Sequence, residues 1–108
     1  MGMKTKVNFE KSVLCTIAIP KETMDEHSLD ILINGIMTGI LRDVPSKDFD
    51  RDKMEEVLTD MLQTNLEHGY TRTVNGSMMM RGSLEGDEYL FELTKYTPKL
   101  ELVEEDDK

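Results

Sequence analysis

Three aspartates alternate along Asp48-Phe49-Asp50-Arg51-Asp52, and Glu55 and Glu56 follow within one helical turn. Carboxylates at that spacing suit a hard cation, and the three aspartates match the start of an EF-hand calcium loop. The rest of such a loop is missing. Its sixth position needs a glycine for the turn and its twelfth a bidentate glutamate, whereas Lys53 and Thr59 stand at those places. Arg51 and Lys53 also bring competing cations. The pattern therefore predicts no metal site. It leaves two roles for these acids: complementing the N-terminus of a helix, or forming an anionic surface from Asp48, Asp50, Asp52, Glu55, Glu56 and Asp60.

Other reactive side chains are scattered. His27 and His68 share no metal-ligand spacing, and Ser28 beside His27 is adjacency in sequence, which does not define a catalytic triad. Gly82-Ser83-Leu84-Glu85-Gly86 lacks the central serine of a nucleophile elbow and falls in a hairpin pattern. Cys15 lies within the apolar run Val13 to Ile19, as a buried thiol does, with no neighbour to lower its pKa. No phosphate-binding loop is present. These observations predict a chain that is not an enzyme and needs no cofactor.

Charge is the stronger signal. The 108 residues carry a formal net charge of −9, and it is unevenly placed. Residues 24–69 hold eleven acids against four bases, and residues 85–108 hold nine against three. Nucleic acid is a poor direct partner for such a chain. Lys4, Lys6, Lys11 and Lys21 make only a sparse positive patch. A basic protein surface is a better partner, because carboxylates can stand where phosphates would bind and complementary potentials speed encounter. Small acidic phage proteins that counter host defences act in this way, an analogy of size and charge alone. No apolar stretch approaches the roughly 20 residues of a membrane span, and no secretory signal is complete. A cytoplasmic location is expected.

The elements that must position these groups follow from periodicity. Residues 5–19 alternate as a strand, with Val13, Cys15, Ile17 and Ile19 on one face and Leu14, Thr16 and Ala18 on the other. Apolar residues on both faces predict a central strand. A helix is expected from Met24 to Leu41, capped by Thr23, with Leu29, Leu32, Ile33, Ile36, Met37 and Ile40 as its buried stripe. Gly35 and Gly39 beside that stripe predict a close approach by another element. A second helix is expected from Asp50 to His68, with Met54, Val57, Leu58, Met61, Leu62 and Leu66 inward and Gly69 ending it. The remainder reads as a β-meander. Its first turn is expected at Asn75-Gly76 and its second at Gly86-Asp87. A two-residue second loop pairs Leu84 with Tyr89, Gly82 with Phe91, Arg81 with Glu92 and Met80 with Leu93. Met78, Met80, Leu84, Tyr89, Phe91 and Leu93 then share one face. Residues 104–108 read as a charged, disordered tail.

The order β-α-α-β-β-β predicts an α+β domain over residues 1–103, an antiparallel sheet with a helical hairpin packed on one face. Nine methionines are many for this length. Met79 and Leu90, with Val74 and Tyr70, are expected on the uncovered face as an apolar patch, which admits a homodimer. The chain thus reads as a non-catalytic protein-binding module. Its expected contact residues are the six acids Asp48–Asp60 together with Met79 and Leu90, and self-assembly through the open sheet face is the alternative.

Overall fold

Strand β1 (Gly2–Pro20) leads into a short helix α1 (Lys21–Glu26) and then helix α2 (Leu29–Asp43). A single 3-10 turn (Ser46–Asp48) precedes helix α3 (Arg51–Leu62), and strands β2 (Tyr70–Asn75), β3 (Met78–Glu85) and β4 (Glu88–Glu105) complete the chain. The computed structural model describes residues 2–105, with side chains for residues 5–47 and 49–100. The strands form one antiparallel sheet in the order β1-β4-β3-β2, and the helices cover one face of it. This is the expected α+β class. Glu104 and Glu105 are still paired within β4, and the last three residues of the anticipated tail, 106–108, lie outside the described residues.

The second hairpin has the expected register: Leu84 lies opposite Tyr89, Gly82 opposite Phe91, Arg81 opposite Glu92 and Met80 opposite Leu93. Gly86 opens its two-residue loop with φ +64°, a conformation that favours glycine. Gly82 leaves room for its neighbours, since a Cβ there would meet Leu66 at 3.3 Å and the Phe91 ring at 3.4 Å. Met78, Met80, Phe91 and Leu93 are buried on this face, against Ile33, Ile36, Ile40, Met54, Val57, Leu58 and Met61 from the two long helices. Helix α2 lies on the β1 side and α3 on the β2 side. Gly39 marks where α2 comes closest to β1, because a Cβ there would fall 2.9 Å from Ile17 Cδ1; Gly35 faces open space.

Several expectations are corrected. The first helix is divided at His27-Ser28: Ser28, not Thr23, caps α2, its hydroxyl accepting from the Ile31 amide at 3.4 Å. The second helix stops at Leu62, six residues early. Thr64 bonds back to the Asp60 carbonyl through its hydroxyl, and the Asn65 side chain accepts from the Glu67 amide, so both divert the chain into turns. The first meander loop is Gly76-Ser77, not Asn75-Gly76, with a bulge at Val74. Strand β1 is an edge strand, not a central one. A bulge between Val13 and Cys15 sets Leu14 out of register. Leu14 packs against the core in place of Val13, which is 53% exposed.

The outline is long. The principal extents are 63 × 31 × 19 Å and the radius of gyration is 17.8 Å, against roughly 13 Å for a compact chain of this length. The excess comes from β1 and β4. Strand β3 pairs with β4 only as far as Met78 opposite Lys95, whereas β1 and β4 pair onward to Gly2 opposite Glu105. Residues 2–11 and 96–105 therefore form a two-stranded arm, about 30 Å long at the usual strand rise.

Candidate functional site

The acids assigned to one surface divide by role. Asp50 caps α3, its carboxylate accepting from the Lys53 amide at 3.1 Å. Asp60, on the β2 side of α3, receives the Tyr70 hydroxyl at 2.7 Å and Arg72 Nη1 at 3.0 Å. Those partners fasten β2 to the helix. The Tyr70 hydrogen bond, with Arg72 beside it, holds the Asp60 carboxyl below its ordinary range. The same hydrogen bond raises the Tyr70 phenol. Glu56 is exposed and paired with Lys53 at 3.4 Å and Arg72 at 3.8 Å. Asp52 and Glu55 are exposed, and with Glu56 and Thr59 they line a shallow groove on the outer side of α3. Asp48 ends the 3-10 turn, and its side chain lies outside the described residues. The acidic surface is therefore smaller than expected: Asp52 and Glu55 at its centre, Glu56 partly neutralised beside them, and Asp50 and Asp60 committed to the fold.

Met79 and Leu90 lie on the opposite side of the molecule, so the structure does not join them to the acids. They do not form one patch either. On the open sheet face Met79 stands in the row of Thr73 and Thr94, and Leu90 in the row of Ser83 and Ala18. Arg81 and Glu92 form the row between them. Glu92 accepts from Thr94 at 3.3 Å and faces Lys11 at 3.8 Å. Val74 and Tyr70, expected here, point to the helices instead, because Tyr70 pairs with core-facing Gly82 and the bulge turns Val74 inward. The central open face is thus polar, with isolated apolar residues.

The two most exposed large apolar residues are on the arm, which the residue pattern had not singled out, while Ile31 on α2 stands apart from them at 57% exposure. Val7 is 52% exposed, Phe9 65% and Leu100 71%. Register places Val7 opposite Leu100, Phe9 opposite Pro98 and Lys11 opposite Tyr96, with Val13 opposite Thr94 at the arm's base. All occupy the face continuous with the open side of the sheet. The reverse face carries Lys6, Asn8, Glu10, Ser12, Lys95, Thr97 and Lys99. The alternation of Val7 and Phe9 with polar neighbours was the available signal.

The remaining chemical groups are occupied locally. His27 Nδ1 sits 3.0 Å from the Thr23 carbonyl at the end of α1, and Ser28 is the α2 cap. Cys15 is buried. That burial pushes its thiol up, and the Asp43 carboxylate adds to the rise. Among the described residues no three His, Cys, Asp or Glu side chains converge as a metal site would require, and no helix is long and apolar enough to cross a membrane. A cleft of about 420 Å³ lies between the α2–α3 connection and the β2–β3 turn, lined by Leu14, Val44, Phe49 and Met78 with Asp43 and Lys95 at its rim. No match was found among protein-family models, curated proteins or solved structures.

Proposed function

We propose that this chain is a non-catalytic protein-binding module whose acidic helical face engages a basic surface on another protein, of the kind that otherwise holds nucleic acid. The observation that supports this reading is the pair Asp52 and Glu55, exposed on the outer side of α3 in a chain of net charge −9. Carboxylates on a rigid helix attract a basic site without the conformational cost of ordering a loop, and the surrounding negative field steers encounter.

The test is capture from a lysate on the immobilised chain, washed at about 0.1 M and about 1 M salt, where the Debye length falls from about 10 to about 3 Å. A bound basic protein should elute at the higher salt and be displaced by nucleic acid. The double variant Asp52→Asn, Glu55→Gln should retain less of it and show a shallower salt dependence. Retention that is the same at both salts, or unaltered in the double variant, rejects the acidic face as the contact.

A further inference from the structure

We propose that the β1–β4 arm is a self-association surface, and that two copies of the chain dock arm to arm through the face carrying Val7, Phe9, Val13, Tyr96, Pro98 and Leu100. A two-stranded ribbon alone in water is marginally stable, and a third layer or strand is what ordinarily secures it. Here the ribbon projects beyond the helices with one polar and one apolar face, and among the described residues none covers the apolar face.

Charge distribution favours a second copy as the cover. Residues 14–93 contain sixteen acids and seven bases, so two bodies repel. The arm, residues 2–11 and 96–105, contains four lysines and four glutamates, so two arms do not. If the arms cross antiparallel about a two-fold axis near Phe9, the bodies lie at opposite ends. Their near edges are then about 30 Å apart at the usual strand rise, several times the Debye length of about 8 Å at physiological ionic strength. A two-fold contact also requires one patch to match itself, and two identical ribbon faces stacked at sheet-on-sheet spacing meet that requirement.

Area agrees with a weak dimer. The arm offers on the order of 500 Å² of apolar surface per copy, so two copies bury about 1,000 Å², the lower bound of a specific interface.

This proposal is independent of the acidic face and separates from it by salt. Arm docking should persist or strengthen at about 1 M salt, where steering by exposed charge is screened out. Sedimentation equilibrium of the full chain should show a monomer–dimer equilibrium in the range of about 10–100 μM, as befits a minimal interface. The double variant Phe9→Asp, Leu100→Asp should raise the dissociation constant at least about tenfold, while Asp52→Asn, Glu55→Gln leaves it unchanged or lower. Hydrogen exchange on the unmodified chain gives a second reading that requires no variant: amides of residues 5–11 and 96–100 should exchange more slowly as concentration rises through the dimerisation range. A chain that stays monomeric to about 1 mM, a dimer untouched by the arm variant, or arm exchange independent of concentration would each overturn the proposal.

Discussion

Strands β1 and β4 each pass through two environments, and the contrast between them shows what their residues are fitted for. From Cys15 to Ile19 and from Glu88 to Leu93 the pair lies under the helices, where one face is buried against α2 and the other is open and polar. From Gly2 to Lys11 and from Tyr96 to Glu105 the same two strands continue past the described helices, with Val7, Phe9 and Leu100 more than half exposed. A strand in the first setting is held by its apolar contacts. In the second it has only its cross-strand bonds and side-chain pairs, so its stability depends on what it meets. The two phenylalanines state the difference: Phe91 is 1% exposed and Phe9 is 65% exposed.

Exchanging those rings for alanine is the sharpest way to break the comparison. Phe91→Ala removes a ring that packs beside Gly82 and among core side chains, and it should cost about 3–5 kcal/mol of unfolding free energy. Phe9→Ala should change it by no more than about 0.5 kcal/mol in dilute solution. Denaturant unfolding below the dimerisation range measures both. Comparable losses at the two positions would mean that the arm folds as part of the core and is not an appendage to it.

A smaller effect should come from the Asp60 link that, beside the longer Glu56–Arg72 pair, ties α3 to β2. Asp60 has a depressed pKa, so its contribution to stability is present above the unfolded carboxyl value of about 3.9 and is lost as pH falls through the folded value. Tyr70 is shifted the other way. Its contribution is present below about pH 10, the unfolded phenol value, and is lost as pH rises through the folded one. Asp60→Asn should therefore lower the melting temperature at neutral pH and flatten the decline on the acid side, and Tyr70→Phe should flatten the alkaline side. If melting curves of the Asp60 variant across pH 2–7 parallel those of the parent chain, the link contributes nothing.

The body was far more legible in the sequence than the arm, for reasons of range. The β3–β4 register follows from one two-residue loop and the alternation around it, so Arg81 opposite Glu92 and Met80 opposite Leu93 are local consequences of Gly86-Asp87. The helix stripes are local too, and Leu32, Ile33, Ile36, Met37, Ile40, Met54, Val57, Leu58 and Met61 are all buried. Helix ends were less readable, because Thr23 and Ser28 are both competent caps and only packing selects between them. The bulge at Leu14 has no local sign: Val13 and Leu14 are equally apolar, and a one-residue slip decides which turns inward. The arm pairs residues almost a full chain length apart. Val7 and Phe9 read only as part of the strand expected over residues 5–19, Leu100 lies beyond Pro98 at the other end of the chain, and nothing near either places them together. Of the candidate contacts, Asp52 and Glu55 remain exposed and free for a partner. The same composition that suggested an anionic patch also supplied the caps and the Tyr70–Arg72 anchor, and sequence does not separate those uses.

The finest test of how tightly the body is fitted compares two glycines one turn apart on α2. A glycine in a helix interior is less stable than alanine by roughly 0.5–1 kcal/mol. A methyl group added at Gly35 would meet nothing within 4 Å, so Gly35→Ala should recover that amount. At Gly39 the added Cβ would lie 2.9 Å from Ile17 Cδ1. Ile17 stands on β1 only two residues beyond the bulged segment, with Phe91 opposite it. Its terminal methyl can rotate away, but only by disturbing the contact between α2 and the edge strand. Gly39→Ala should therefore forfeit the propensity gain and leave the denaturant midpoint at or below that of the parent chain. Equal gains at both positions would show that α2 rides loosely over β1. The helix layer would then constrain that strand little more than the arm is constrained, and the distinction between the two environments would rest on β3 and β2 alone.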